Sequence, residues 1–90
     1  MRFTKKSEHN GKYFIEEDKI EEATQKLADF ENMCEEFIKD MDNLPARLEK
    51  LRTEKKEKTV AYKELVAQKL INTNILIFFR RYGIYDYLNN

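Results

Sequence analysis

One apolar stripe constrains the fold of this chain more than any other feature. Between residues 20 and 51, apolar side chains recur at alternating spacings of three and four, the heptad pattern of a helix that packs along a narrow seam. The stripe consists of Ile20, Ala23, Leu27, Phe30, Cys34, Phe37, Met41, Leu44, Leu48 and Leu51. Charged residues fill most of the other positions, so the rest of such a helix faces water. The sequence therefore predicts a mainly α protein of two or three helices with heptad-type antiparallel packing.

The charged residues are divided unevenly along the chain. Residues 1–45 hold 7 basic and 12 acidic side chains, whereas residues 46–90 hold 10 basic and 5 acidic ones. The net charge of zero excludes a strongly basic nucleic-acid domain, although local basic patches stay open. Opposite charge favours packing of an acidic helix on a basic one, within one chain or between chains. The alternative is a solvated charged surface, because exposed ion pairs contribute only about 0–1 kcal/mol each.

The N-terminal segment, residues 2–16, does not follow the helical pattern. Its Asn10-Gly11 pair is a strong turn signal and separates two short segments that each contain aromatic residues. We therefore predict a short N-terminal β-hairpin, with an unstructured tail as the alternative. Two strands alone are marginally stable in water, so this hairpin is expected to lie on helices or on a neighbouring chain.

Pro45 interrupts the apolar stripe. Proline inside a helix costs about 3 kcal/mol, but it is tolerated in the first turn of a new helix. We therefore predict one helix over residues 17–42 and a second over residues 45–58, with Asp42 and Asn43 available as caps. Because the heptad register continues through Pro45, a kinked continuous helix is the alternative.

A third helix is predicted over residues 59–82, followed by a tail at residues 83–90, all within one small helical domain. Thr59 is a candidate N-cap, and Gly83 supplies a left-handed stop. Residues 75–79 are five consecutive large apolar residues that cannot all face one small core. Some of them are therefore expected to contact another chain or the hairpin.

We expect the chain to form a homo-oligomer, because a chain of 90 residues is short for a deep core and such chains often gain stability by association. The predicted interface combines the stripe with the apolar C-terminal segment. It comprises Leu27, Phe30, Phe37, Leu44, Leu48, Leu51, Ile75, Phe78 and Phe79. The side chains of the stripe are mixed in size, so the pattern does not fix the number of subunits.

Residues that support catalysis are scarce. His9 is the only histidine and lies in the predicted turn, whereas Cys34 falls on the stripe and is expected to be a small buried apolar group. Two glycines are too few for a phosphate-binding loop, and no zinc-binding spacing or Ser/His/Asp set occurs. We therefore expect a protein that is not an enzyme and has no cofactor, metal or small-molecule substrate.

A basic stretch over residues 47–69 carries a net charge of +4. It favours a nucleic-acid accessory protein as an alternative function, because a basic helix can lie along phosphate backbones. The candidate contacts are Arg47, Lys50, Arg52, Lys55 and Lys56. Interleaved glutamates and the absence of a base-reading pattern make this the less favoured prediction.

The predicted location is the cytoplasm, without a membrane partner. No apolar run of about 18 residues is present, and no apolar stretch follows the first residues as in a signal peptide. The single cysteine fits a reducing compartment.

Several short motifs resemble small uncharacterised proteins of phages and prophages of Gram-positive bacteria. The motifs are Arg2-Phe3-Thr4-Lys5-Lys6, Asn10-Gly11, Leu27-Ala28-Asp29-Phe30-Glu31-Asn32 and Lys58-Thr59-Val60-Ala61-Tyr62-Lys63-Glu64-Leu65. The turn that usually follows the third motif is replaced here by a helical continuation from Met33. The resemblance implies a phage or prophage origin in a bacterial host cell, and it implies no activity. The stripe, the apolar residues 75–79 and the scarcity of catalytic residues predict an accessory protein that acts through self-association and an unknown protein partner, one version being a modulator of a host or phage protein. A virion or assembly component is a further alternative.

Overall fold

The structure is a computed structural model that describes residues 1–89, and it is mainly α-helical. The described residues form a two-stranded antiparallel hairpin of β1 (Thr4–Lys6) and β2 (Tyr13–Ile15), then a 3₁₀ turn over Glu17–Lys19. Three helices follow within these residues: α1 (Ile20–Thr53), α2 (Val60–Arg81) and α3 (Ile84–Asn89). The predicted fold class, mainly α with a short N-terminal hairpin, is confirmed.

The chain divides into two compact units, and α1 contributes residues to both. The first unit spans Met1–Met33 and the second begins at Cys34.

The hairpin of the first unit pairs Thr4 with Ile15 and Lys6 with Tyr13. Its connection is longer than a two-residue turn, because the Ser7 N–H donates to the Lys12 carbonyl at 2.8 Å. Only Gly11 in this loop has a positive φ, of 69°. Asn10 acts through its side chain, whose Oδ1 accepts from the Lys12 N–H at 2.9 Å. The Asn-Gly signal therefore marks the hairpin correctly, although the two residues act in different ways.

Helix α1 is continuous through Pro45, so the predicted break near residues 42–44 is absent and the continuous alternative is observed. Pro45 lies on an exposed side of the helix, whereas Leu44 and Leu48 are each only 3% exposed. Burial of a leucine contributes about 1.5–3 kcal/mol, so the two together offset the roughly 3 kcal/mol cost of an interior proline. Burial of Leu44 and Leu48 therefore keeps α1 continuous through Pro45.

The second unit is an antiparallel hairpin of two helices. Near one end, the Phe37 ring of α1 lies 5.1 Å from the Phe79 ring of α2, at an interplanar angle of 59°. Toward the other end, Arg52 Nε of α1 donates to Tyr62 Oη of α2 at 2.9 Å. The buried side chains of this unit are Cys34, Ile38, Leu44, Leu48, Asn72 and Phe79. The C-terminal half of the predicted stripe is thus the seam of the fold.

The α1–α2 connection satisfies the backbone groups of both helix ends. The Lys56 N–H donates to the Leu51 carbonyl and the Lys55 N–H to the Arg52 carbonyl, which is the Schellman pattern. Lys55 occupies the left-handed position with φ of 57°. At the start of α2, the Thr59 Oγ1 accepts from the Tyr62 N–H, as the predicted N-cap requires.

Two further helix boundaries differ from the prediction. The predicted helix over 45–58 is the C-terminal part of α1, which ends at Thr53, and the predicted tail contains the short helix α3. Gly83 separates α2 from α3 with φ of 71°, as the predicted left-handed stop. Leu88 of α3 and Ile38 of α1 line the same shallow depression.

Replacement of Leu48 by alanine should lower the free energy of unfolding by about 2–5 kcal/mol, because it leaves a cavity in the seam. Urea unfolding followed by circular dichroism at 222 nm measures this loss. Leu70→Ala is the matched control on α2, because Leu70 is 65% exposed and its loss should be about 0.5 kcal/mol or less. Equal losses for the two variants would contradict the seam.

Candidate interaction surface

Helix α2 carries apolar side chains on a face that the seam does not use. Ile71, Ile75, Phe78 and Tyr82 are spaced by four, three and four residues, so they lie on one face of the helix, here named the α2 stripe. All four are exposed, Phe78 by 57% and Tyr82 by 75%. Much of this stripe is therefore open to water in the described part of the chain.

One basic side chain, Arg81, lies at the edge of the α2 stripe. Residues 65–85 contain three basic side chains, at Lys69, Arg80 and Arg81, and no acidic one. The Arg81 guanidinium lies 5.0 Å from the centroid of the Phe78 ring, within cation–π range. The two arginines occupy the last turn of α2, where the helix dipole favours cations. Lys69 and Arg80 lie on the opposite side of α2, where Arg80 stacks over the Tyr85 ring at 5.3 Å, so Arg81 alone borders the stripe.

A groove runs along the α1–α2 seam. It consists of two adjoining depressions of about 420 and 400 Å³ that share Arg47, Glu64 and Leu65. The first reaches Leu51 and Ala61, and the second reaches Phe37, Leu44, Gln68 and Asn72. The α2 stripe lies on the same side of α2 as Glu64 and Gln68 of the groove wall. The spacing of four and three continues through residues 64, 68, 71, 75 and 78.

Asn72 is a polar residue within the seam. It is buried, and its Oδ1 accepts from Gln68 Nε2 at 2.7 Å. This hydrogen bond satisfies the carbonyl oxygen of the amide inside the chain, so Asn72 does not point to a ligand.

The first unit has an exposed apolar face of its own. Ile20, Leu27 and Phe30 of α1 are all exposed, Leu27 by 52%, and they are here named the N-terminal stripe. Ala23, the smallest apolar residue of this part of the heptad pattern, is buried. Tyr13, Phe14 and Ile15 of β2 are also exposed. The first unit therefore leaves most of its large apolar side chains uncovered.

The nine predicted interface residues fall into two groups. Leu44, Leu48 and Phe79 are buried, and Phe37 and Leu51 are half-buried. Leu27, Phe30, Ile75 and Phe78 are exposed. The first group belongs to the seam inside the chain, whereas an interface role for the second group requires another molecule.

The predicted nucleic-acid contacts are mixed with carboxylates. Arg47 and Lys50 line the groove together with Glu54 and Glu64. Lys56 Nζ lies 3.1 Å from Glu54 Oε2. These basic side chains therefore do not form a continuous positive face, and nucleic-acid binding stays a prediction.

Arg52 is held on the α1–α2 hairpin by two partners. Besides the hydrogen bond to Tyr62, its Nη1 lies 3.7 Å from Glu49 Oε2. The hydrogen bond to Tyr62 is the main cause that raises the pKa of Arg52 above its ordinary value. Arg52 thus joins the two helices and is less available to a phosphate group.

The potential catalytic residues do not form a site in the described part of the chain. Cys34 is fully buried, and burial raises the pKa of its thiol, which disfavours the reactive thiolate. His9 is exposed in the hairpin loop. Among residues 1–89, no three His, Cys, Asp or Glu side chains gather in a way that could hold a metal ion. No helix within these residues has both the length and the apolar character needed to span a membrane.

Comparison with models of protein families, with curated proteins and with solved structures finds no match to this chain. The resemblance to phage and prophage proteins therefore stays a prediction that is based on short motifs.

Three features of the surface and the seam were not predicted from the sequence. Ile38 is buried although it lies beside the heptad stripe, and Asn72 is buried although it is polar. Residues 75–79 were predicted only as a run of apolar residues. Ile71 and Tyr82 extend the helix face of Ile75 and Phe78 on both sides. The spacing of four, three and four was the signal for this face, whereas the burial of Ile38 and Asn72 follows from the packing of α1 against α2.

The hairpin is joined to the residue before the 3₁₀ turn by an ion pair between Lys5 and Glu16. The hydrogen bond from Lys5 is the main cause that lowers the pKa of Glu16 below its ordinary value. Because the pKa is lower in the folded chain, the pair stabilises the hairpin above the ordinary pKa of Glu16 and is lost as pH falls through the lowered value.

Replacement of Lys5 by alanine should raise the pKa of Glu16 toward its ordinary value of 4.5. A carboxyl-detected NMR titration of Glu16 measures the change. Lys6→Ala removes a lysine from the same strand and should leave the titration of Glu16 unchanged. An identical midpoint in wild type and Lys5→Ala would show that the pair does not form.

Proposed function

We propose that this chain is a non-enzymatic helical accessory protein that acts through protein–protein contact and self-association. The α2 stripe is the observation that carries the proposal. A continuous apolar face on a helix is costly to leave in water, and such faces mark interaction sites. Here Arg81 lies at the edge of the face, 5.0 Å from the centroid of the Phe78 ring.

The small size of the seam supports this proposal. The second unit has only two long helices, so each can bury one narrow side chain row against the other. Apolar residues outside that row gain burial only from another molecule. Association then stabilises the fold as well as forming the complex, because a partner that binds only the folded chain shifts the unfolding equilibrium.

The groove beside the α2 stripe supports a helical partner. Apolar residues of both helices line the groove, together with charged residues such as Arg47 and Glu64. An amphipathic helix that lies in such a groove uses anchors spaced by three and four residues. In the phage or prophage setting that the motifs suggest, the partner is a second copy of the chain or a host or phage protein.

Replacement of Phe78 by serine should weaken self-association by about tenfold or more, since it removes a large exposed aromatic group worth more than about 1.4 kcal/mol of burial. Light scattering on a sizing column gives the absolute mass over a series of concentrations. Leu70→Ser is the matched control, because Leu70 is similarly exposed on another side of the same helix.

A wild-type chain that is larger than a monomer, and that Phe78→Ser alone converts to a monomer, is the expected result. A wild-type monomer at all concentrations would contradict self-association. Equal weakening by Phe78→Ser and Leu70→Ser would show that the α2 stripe has no special role.

A further inference from the structure

We propose that β2 of one chain pairs with β2 of a second copy in antiparallel orientation, so that the two hairpins form one four-stranded sheet. This contact uses the first unit alone and lies outside the α2 stripe, so it goes beyond the proposed function. The hairpin gains little burial within its own chain, because all six residues of β1 and β2 are exposed. Two strands alone are marginally stable in water, whereas three or more strands with an apolar face can be stable.

The outer edge of β2 offers the backbone groups of two residues to another strand. The Ser7 N–H donates to the Lys12 carbonyl, so these residues form a hydrogen-bonded pair at the loop end of the hairpin. Because such pairs alternate along an antiparallel ladder, the N–H and carbonyl groups of Tyr13 and Ile15 point away from β1. Within residues 1–89, no hydrogen bond from elsewhere in the chain reaches these groups. A second strand can therefore add to this edge.

Opposite charges meet in one register of this pairing. Lys12 precedes β2 directly and Glu16 follows it directly, and both are exposed. An antiparallel pairing that is centred on Phe14 places Lys12 of each copy opposite Glu16 of the other. These side chains lie on one face of the sheet, because their positions differ by two. Glu16 can keep its ion pair with Lys5 on the β1 side, since a carboxylate has two oxygen atoms that accept.

The same register pairs the apolar side chains of β2. Tyr13 of each copy lies opposite Ile15 of the other, where the outward backbone groups of both copies are joined. Phe14 lies opposite its own counterpart on the two-fold axis, and aromatic pairs and aromatic–β-branched pairs across strands are favourable. Tyr13 and Phe14 are 61% and 46% exposed, so both gain burial. A centre at Tyr13 or Ile15 would instead place Lys12 or Glu16 opposite Phe14.

The other edge of the hairpin disfavours an added strand. β1 carries Lys5 and Lys6, and a pairing of two β1 strands about Lys5 would place like charges directly opposite each other. Lysine on an edge strand is a common protection against further pairing. In the four-stranded sheet, β1 of each copy is the outer strand, so growth through the hairpin ends at two copies. The charges thus select β2 of a second copy as the occupant, in a two-fold contact.

This contact is weak on its own. Each paired strand is three residues long and buries less than the roughly 800 Å² on each partner that a stable interface needs. Strand pairing alone should therefore not hold Phe78→Ser together at micromolar concentration. Detection needs a method that reports weak association at single residues.

Amide NMR of the unmodified full-length chain, from about 10 μM to about 1 mM, tests the pairing. The amide protons of Tyr13 and Ile15 should shift downfield and become protected from hydrogen exchange as the concentration rises. Thr4 and Lys6 are internal controls, because their amides point outward at the opposite edge of the hairpin and should not change. The Ser7 amide, which bonds within the hairpin, reports that the hairpin is folded.

The expected result is a concentration-dependent change at Tyr13 and Ile15 alone. Changes at Thr4 and Lys6, with or without the others, would overturn the assigned edge. No change at either edge, in a chain whose mass increases with concentration, would overturn this inference and leave the proposed function standing. No change at either edge in a chain that remains a monomer would overturn both.

Charge exchange between copies tests the register. Lys12→Glu makes both residues that flank β2 acidic, and Glu16→Lys makes both basic. Each variant alone places like charges opposite each other and should weaken the pairing about tenfold at low salt. A mixture of the two variants restores opposite charges at both ends and should restore the amide shifts of β2, with the Ser7 amide again reporting the fold. Glu57→Lys and Lys58→Glu make the same charge changes in the loop before α2.

The mixture of the two loop variants should associate through β2 as each does alone. An equal gain on mixing for the loop variants and the flanking variants would overturn the register. A mixture of the flanking variants that pairs no better than either of them alone would overturn it as well.

Discussion

The packing of α1 against α2 is the interaction on which the rest of this structure depends. It extends from the Phe37–Phe79 ring pair to the Arg52–Tyr62 hydrogen bond, with Leu44 and Leu48 buried between them. This packing holds Pro45 inside a continuous helix. It also determines which sides of α2 face α1, and thereby which apolar residues are left in water.

The exposed apolar surface follows from the geometry of two helices. A helix can present one row of side chains to a single neighbour, but α2 carries apolar residues on several sides. Asn72, not a large apolar residue, occupies one position of the inner row, whereas Ile71 and Phe78 lie outside it. The apolar residues of α2 outside the inner row gain burial only from another molecule, which is the basis of the proposed association.

Local signals in the sequence predicted much of the fold. Gly11, Thr59 and Gly83 mark the hairpin loop, the start of α2 and its end, because each acts through its own backbone or side chain. The prediction failed at Pro45, where burial of neighbouring leucines outweighs a local preference. It also could not divide the stripe into a buried part, such as Leu44, and an exposed part, such as Leu27, because the same heptad spacing continues through both. The candidate surface was predicted as the apolar run at residues 75–79. In the structure, the exposed residues Ile71, Ile75, Phe78 and Tyr82 lie on one face of α2.

We propose that this two-helix hairpin gains stability when association covers its exposed apolar residues. Thermal unfolding of the unmodified chain over a hundredfold range of protein concentration tests it most directly, because a midpoint depends on concentration when folding is coupled to association. We expect the midpoint to rise steadily with concentration. A midpoint that stays constant over the whole range would contradict it, because folding would then be complete within a single chain.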